Sequence, residues 1–211
     1  MTTPRRSFLR RAGLAGVATL GGILALPEPP AWQLAERPET DTSVTGGPPD
    51  EVTAEDDSPY AMWQYYRTPW GFEATSPVNV VVALDHSDEA LEDVMDVFQS
   101  ADWFIPPIEY HRFARNTELG RYERQHATAA QTYYGSYGRM HVRMWEFEDT
   151  VSIQAHEDSV AHPVHIIESY ETAKSLVEWL FDDAGWSVVP DAVRFQNEKD
   201  DHEGLVTVIE P

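Results

Sequence analysis

Side chains able to bind a metal ion or move a proton concentrate in one part of this sequence. Four of the eight histidines fall within 25 residues, together with an arginine and several carboxylates. Imidazole nitrogen and carboxylate oxygen are ligands for divalent metals, and a metal ion makes bound water a nucleophile. This composition suggests a metal-dependent hydrolase of the phosphoesterase type. The candidate site residues are His141, Arg143, His156, Asp158, His162 and His165.

Two neighbouring segments would bring four of these side chains together. Segments 140–147 and 151–158 predict a hairpin, with a turn at Glu148-Asp149-Thr150. Alternate residues of a strand point to the same face, so the two candidates on each segment share a face. His162 and His165 flank the start of the next predicted strand. The sheet therefore decides whether the histidines converge.

A second interpretation competes with the metal site. The histidine spacing matches neither HEXXH nor HXH with a distant carboxylate, and the sequence has no GxSxG elbow, Walker loop, GxGxxG after a strand or cysteine nucleophile. In this interpretation the histidines lie on strand surfaces or cap elements, and the domain is a non-enzymatic binding or scaffolding module. Aromatic residues in segments 60–72 and 104–139 leave carbohydrate binding as a third hypothesis.

The elements around the cluster predict an α+β fold. Apolar residues alternate in some segments and recur at helical spacing in others. Two helices would cover one face of a mainly antiparallel sheet. Two strand–helix units also align, with Trp103 matching Trp186, and either an internal repeat or chance similarity explains the match. The predicted elements are strand 78–84, a helix from Ser87 towards Trp103, strands 140–147, 151–155 and 163–167, a helix capped by Ser169 and ending at Gly185-Trp186, and strand 205–209.

The chain divides into three predicted parts. Residues 1–35 form an export signal, and residues 36–58 form a disordered acidic tether rich in proline and threonine. Residues 59–211 have the length of a single domain. The sequence contains no cysteine, so neither a disulfide nor a lipid-modified cysteine is available.

The first residues predict where the protein functions. Arg5 and Arg6 are followed by Phe8 and Leu9 and then by a weakly apolar segment, as in twin-arginine signals. The expected partner is the twin-arginine translocation machinery, and the expected location is the outer face of the membrane or the medium. Cleavage stays open, because no candidate point has a small residue two positions upstream. An uncut signal would anchor the chain.

The net charge indicates the environment of the protein more clearly than it indicates a binding partner. The net charge is −21, and arginine outnumbers lysine thirteen to two. Such a surface is similar to that of proteins from salt-loving archaea, where carboxylates keep the protein hydrated and salt screens their repulsion. Binding to nucleic acid or to anionic lipid head groups is not expected, because both need a basic surface.

The strands around the cluster resemble a known family. PVNVVV at 77–82, HVRMW at 141–145, IQAHED at 153–158 and HPVHII at 162–167 are similar to the C-terminal domain named after the LssY protein. The resemblance covers roughly residues 76–186. It implies a link with membrane proteins encoded near secretion systems, and it adds no catalytic residues because the activity of the family is not established. This chain has an export signal where the family commonly has a multi-span membrane region.

Overall fold

The computed structural model describes residue 49 and residues 51–84, 91–106, 111–132, 138–159 and 166–211. The predicted signal residues Arg5, Arg6, Phe8 and Leu9 lie outside these ranges, and so do His162 and His165. Within the described ranges, no helix has the length and apolar character needed to cross a membrane.

Strands predominate over helices in the described residues. They include helices α1 (Leu91–Ser100) and α2 (Glu171–Asp183) and a short 3-10 helix at Glu55–Asp57. The strands are β1 (Val52–Thr53), β2 (Trp63–Thr68), β3 (Gly71–Pro77), β4 (Val80–Ala83), β5 (Phe113–Asn116), β6 (Arg121–Arg124), β7 (Ala127–Ala130), β8 (Met140–Phe147), β9 (Thr150–Asp158), β10 (Ile167–Ser169), β11 (Ser187–Phe195) and β12 (Leu205–Glu210).

The large sheet has the strand order β1-β11-β12-β4-β9-β8-β7, with β10 added beside β9. Only the β1–β11 and β12–β4 pairs are parallel. The prediction of a mainly antiparallel sheet is therefore confirmed. The strand predicted at 78–84 is also confirmed, because Val80, Val81 and Val82 in β4 are fully buried, as expected for a strand covered on both faces.

Both helices pack against one face of the large sheet. Their apolar residues recur at helical spacing, which gives each helix a single apolar stripe. On the sheet, the stripes meet alternate residues of three neighbouring strands, and together they form one core. Its members include Val80, Val82, Val94, Phe98, Val142, Met144, Ile153, Ala155, Val177 and Phe181.

The two helices end in the same way. After α1, Asp102 has φ 61° and the Trp103 amide donates to the Phe98 carbonyl at 2.9 Å. After α2, Gly185 has φ 90° and the Trp186 amide donates to the Phe181 carbonyl at 3.0 Å. In each case a left-handed residue stops the helix and a tryptophan follows it.

The aromatic rings at the two helix ends repeat this correspondence. The ring centroids of Phe98 and Trp103 are 5.2 Å apart, as are those of Phe181 and Trp186. The two phenylalanines meet at 5.6 Å. The strands before the helices differ, however, because β4 lies inside the sheet whereas β10 pairs only with β9. The internal repeat therefore stays a prediction.

A second, four-stranded sheet has the order β3-β2-β5-β6. Phe72 lies on one edge strand and Tyr122 on the other, yet their rings stack with centroids 4.0 Å apart. Tyr65 contacts Tyr122, and Phe113 contacts Phe72. The two edge strands, β3 and β6, approach each other through these four rings, so the small sheet is strongly curled.

The small sheet covers the face of the large sheet opposite the helices. Trp145 and Phe147 of β8 point to this face and pack with Met62 and with Ala114 of β5. The Ala61 amide also donates to the Ser152 hydroxyl at 3.1 Å. The domain thus has three layers: helices, large sheet and small sheet.

Residues at the end of the predicted tether have regular structure. Val52–Thr53 form β1, which pairs with β11, and Glu55–Asp57 form the 3-10 helix. The Tyr65 hydroxyl donates to the Glu55 carboxylate, and Arg115 pairs with Asp56 at 2.6 Å. These polar contacts order a segment that lacks large apolar side chains.

Candidate functional site

The large sheet brings the four described candidates together on one face. β8 and β9 pair in the register that places His141 opposite His156. Arg143 follows His141 on the same face of β8, and Asp158 follows His156 on the same face of β9. The predicted hairpin is confirmed, but its turn is one residue shorter than predicted, because Thr150 begins β9 and pairs with Phe147.

All four side chains are buried. His156 is fully buried, and the exposed fractions of His141, Arg143 and Asp158 are 6%, 2% and 6%. They lie on the face turned to the small sheet, while the apolar residues between them face the helices. The interpretation that places the histidines on strand surfaces or at caps therefore does not hold for His141 and His156, which are buried within β8 and β9.

The two histidines contact each other and their neighbours on three strands. Nδ1 of His141 lies 3.4 Å from Nε2 of His156, and the rings meet edge to face. Nε2 of His141 lies 2.9 Å from the Thr128 hydroxyl of β7. Nδ1 of His156 lies 3.1 Å from Oε1 of Gln154. These bonds hold both rings at fixed orientations.

Arg143 links the two sheets. Its Nη1 donates to Oε1 of Gln64 at 2.8 Å and to Oε1 of Gln154 at 3.3 Å. Gln64 belongs to β2 of the small sheet, and both glutamines are buried. A hydrogen bond from a charged donor across a buried interface fixes how two layers sit together. Sequence analysis did not identify Gln64, whose position next to Arg143 is a tertiary relationship.

Asp158 connects the histidines to a second arginine. Arg139 Nε donates to Oδ2 of Asp158 at 2.9 Å, and the other carboxylate oxygen lies 3.4 Å from Nε2 of His156. Arg139 is also buried, at 4% exposed. Buried charges are stable in proteins when they are paired and hydrogen-bonded. A connected polar layer therefore runs from Thr128 through the histidines and Asp158 to Arg139.

The chemistry available to this layer is restricted by its burial. Among the described residues, no group of three or more histidine, aspartate or glutamate side chains has the arrangement to hold a metal ion. The buried rings contact Thr128, Gln154, Asp158 and each other. A substrate would have to displace these contacts to reach an imidazole nitrogen.

A buried tyrosine lies beside the same layer. Tyr170 is fully buried, and burial raises the pKa of its hydroxyl, although the nearby Ser76 hydroxyl and Arg143 lower it. The Ser76 hydroxyl oxygen accepts a hydrogen bond from Nε2 of Gln64 at 3.4 Å. The polar layer thus extends from the histidines towards the start of α2.

The described surface has an open acidic cleft of about 680 Å³. Its wall includes the Glu148 turn of the β8–β9 hairpin, Glu118 and Asp149. The Glu118 carboxylate raises the pKa of Glu148, because it repels a negative charge on Glu148 and accepts a hydrogen bond from the protonated form. Acidic side chains are abundant in this chain, and such a cluster fits a solvated surface in high salt.

The tip of the β2–β3 hairpin is the most exposed apolar position described. Trp70 is 95% exposed, whereas Trp103 and Trp145 are buried. The Thr68 hydroxyl accepts from the Trp70 amide at 3.2 Å and so fixes the turn. Tyr66 is 49% exposed and lies under the guanidinium of Arg112, 5.1 Å from its ring centroid. The described tryptophans do not form an exposed cluster.

Comparisons with family models, with curated proteins and with solved structures find no match to this chain. The resemblance to the LssY C-terminal domain therefore stays a prediction.

Proposed function

We propose that this chain is an exported, envelope-associated binding or scaffolding module without catalytic activity. The observation that carries the proposal is the burial of His141, Arg143, His156 and Asp158 in one connected polar layer, which Arg143 joins to the small sheet. Side chains held in this way stabilise one arrangement of the layers. A catalytic group must instead reach its substrate.

The binding surface in this proposal is the β2–β3 hairpin. Indole is a frequent anchor in protein interfaces because it combines a large apolar area with a polar N–H group. Trp70 exposes 95% of its surface. So large an apolar side chain is exposed to water in an otherwise acidic chain. This exposure supports a role for Trp70 in contact with a partner.

The proposed location follows from the N-terminal sequence. The Arg5-Arg6 signal would direct the folded chain through the twin-arginine machinery. The tether would then separate the domain from the membrane, and an uncut signal would retain it there. The acidic composition suits function at high salt.

The internal repeat is also part of this proposal. The matching helix ends at Asp102-Trp103 and Gly185-Trp186, and the equal ring contacts that follow them, support a duplicated strand–helix unit. A duplicated scaffold accounts for two helices on one face without assigning either of them a catalytic role.

The first experiment separates a binding module from a metal-dependent hydrolase. The full chain is purified at high salt, without chelator or affinity histidines, and its metal content is measured beside that of His156→Ala. We expect no stoichiometric metal and no hydrolysis of p-nitrophenyl phosphate. Near-stoichiometric metal that is lost in the variant, with hydrolysis that depends on it, would favour the hydrolase.

The second experiment tests the hairpin. Radiolabelled chain, recovered in its exported form, is bound to envelopes of the source organism at high salt and displaced by unlabelled chain. Displacement distinguishes specific binding from insertion of the signal. We expect Trp70→Ala to weaken displaceable binding about tenfold, the loss of one anchoring side chain. Ile166→Ala, which removes an apolar side chain that is 48% exposed, is the control. Equal binding by both variants would remove the hairpin from the proposal.

A further inference from the structure

The tip of the β2–β3 hairpin (residues 68–71) is both apolar and close to a positive charge. Trp70 is 95% exposed, and Arg67, near the end of β2, is also exposed. Among the lysine and arginine side chains in the described ranges, the exposed ones all lie on the small sheet; they are Arg67, Arg121 and Arg124. The tip therefore presents an indole beside a cation in a chain whose net charge is −21.

The acidic cleft lies at the opposite end of the same sheet. Its wall includes Pro59 and Tyr60, which precede β2, and Asn116, which ends β5. Tyr65 of β2 pairs with Phe113 of β5 in antiparallel register, so β5 runs away from the tip and ends at the cleft. The six residues of β2 span about 20 Å at about 3.3 Å per residue. The tip therefore cannot reach the cleft of its own chain.

The lining of the cleft is complementary to the tip. Apolar and acidic side chains line it together, among them Tyr60, Ala83, Phe147, Glu118, Glu148 and Asp149. Its volume of about 680 Å³ is that of a cleft able to take up a small organic group. An indole gains from contact with apolar and aromatic side chains, and a guanidinium forms charge-assisted hydrogen bonds with a carboxylate. One cleft thus offers contacts to both groups of the tip.

We propose that the hairpin tip of one chain binds in the acidic cleft of a second copy. In this contact Trp70 packs against the apolar lining, and Arg67 pairs with a carboxylate of the cleft. The inference rests on the proposed function, because it uses the same hairpin as the binding surface and names its partner. Tip and cleft are different surfaces, so the contact is heterologous and repeats from chain to chain in a head-to-tail array.

The size of the contact makes it weak in solution. A stable protein interface buries about 1,200–2,000 Å² in total, whereas one aromatic side chain buries about 150–250 Å². Chains retained on one membrane have a higher local concentration, which favours weak contacts. High salt favours them too, because it screens the repulsion between two acidic chains. We therefore expect association at high protein concentration and high salt.

Sedimentation equilibrium measures this association on the chain in its exported form. The measurement is made at high salt and up to about 1 mM protein, which detects dissociation constants of that order. We expect oligomers that grow with concentration. Trp70→Ala should weaken association at least about tenfold, and Ile166→Ala, which removes an apolar side chain that is 48% exposed, should associate like the parent. A parent chain that stays monomeric up to about 1 mM would overturn the proposal.

Charge reversal tests the cleft. Glu148 is exposed in the β8–β9 turn, so Glu148→Arg alters the cleft without altering the core. Asp183→Arg, at the exposed end of α2, changes the net charge equally and is the control. We expect Glu148→Arg to associate about threefold more weakly than Asp183→Arg, the scale of one surface ion pair. Equal association of the two variants would contradict the role of the cleft.

Cross-linking locates the contact, because the chain contains no cysteine of its own. Pro69→Cys places a thiol beside Trp70, and Glu148→Cys places one at the cleft. The two single-cysteine chains are mixed at high salt under mild oxidation, with Asp183→Cys in place of Glu148→Cys as the control. We expect disulfide-linked dimers between positions 69 and 148 to form faster than dimers between 69 and 183. Preferential linkage of 69 to 69 would show that two tips meet, and it would overturn the head-to-tail contact.

These results separate the inference from the proposed function. A monomeric chain whose binding to envelopes still falls in Trp70→Ala would exclude self-association and keep the hairpin as the surface for a different partner. Unchanged envelope binding by Trp70→Ala, with self-association lost in the same variant, would keep the head-to-tail contact. It would also remove envelope binding by the hairpin from the proposed function.

Discussion

The imidazole rings of His141 and His156 meet edge to face across the β8–β9 pair, with Nδ1 of His141 3.4 Å from Nε2 of His156. His156 is fully buried and also bonds to Gln154. The pair therefore forms part of the buried interior on one face of the large sheet.

This packing predicts a large loss of stability on truncation. His156→Ala should destabilise the chain by about 3 kcal/mol, because it leaves a cavity and removes hydrogen bonds from buried polar partners. Denaturant unfolding at high salt measures the change. The exposed His111→Ala should stay within about 0.5 kcal/mol of the parent. A His156→Ala variant as stable as the parent would show that the layer does not support the fold.

Truncation of two neighbouring aromatic residues of the β2–β3 hairpin, Trp70 and Phe72, should change the stability of the domain by different amounts. Phe72 stacks on Tyr122, so Phe72→Ala should cost about 3 kcal/mol through lost packing. Trp70→Ala removes an exposed ring and should change stability by no more than about 0.5 kcal/mol. Thermal unfolding of both variants checks this contrast. Strong destabilisation by Trp70→Ala would mean that the tip is structural.

Substitutions at the left-handed residues after the two helices should change the stability of the domain in opposite directions. Asp102 has φ 61°, where a side chain is strained, so Asp102→Gly should stabilise the domain by up to about 1 kcal/mol. Gly185 has φ 90°, and Gly185→Ala should destabilise by about 1 kcal/mol, although the added Cβ would lie in open space. Changes in unfolding free energy of the same sign would contradict the shared helix end.

Burial of Glu178 predicts a gain in stability from removing its charge. Burial raises the pKa of Glu178 more than the hydrogen bond from the Thr207 hydroxyl lowers it. A carboxyl with a raised pKa favours folding in acid, and this contribution is lost as pH rises. Glu178→Gln keeps an oxygen for Thr207, so it should be more stable than the parent at neutral pH. The difference in unfolding free energy should disappear in acid; a constant difference would contradict this explanation.

Asp201 predicts the reverse pH dependence. Its carboxylate accepts from the Ser169 hydroxyl and from the amides of Tyr170 and Glu171, and these bonds lower its pKa despite burial. Its contribution is present at neutral pH and is lost as pH falls through the lowered pKa. Asp201→Asn should cost about 1 kcal/mol at neutral pH, the value of a helix cap. Parent and variant should converge in acid, as measured by unfolding at several pH values.

Local sequence patterns predicted several elements well. Alternation over residues 140–147 and the apolar stripe that ends at Phe181 correspond to β8 and α2. The strand at 205–209 corresponds to β12. These elements follow from side-chain periodicity within one segment, which requires no knowledge of distant residues.

Other elements were not predicted. No strand was predicted in segment 104–139, but its described residues include β5, β6 and β7. β11 was also missed, and it contains Pro190 and a shift in its register with β12. Short strands that mix aromatic and charged residues are stabilised by partners far away in sequence, so local patterns do not identify them.

The sequence by itself predicted that the two strands form a hairpin, with His141 and Arg143 on one face of the first strand and His156 and Asp158 on one face of the second. The folded chain decided the register, in which Thr150 belongs to β9 and His141 lies opposite His156. The packing of the folded chain decided the burial and the hydrogen-bond partners of these polar side chains. Gln64 reaches Arg143 from a strand 79 residues away, and the small sheet covers the face on which the histidines lie. Burial and hydrogen-bond partners depend on which elements pack together, and that is a property of the folded chain.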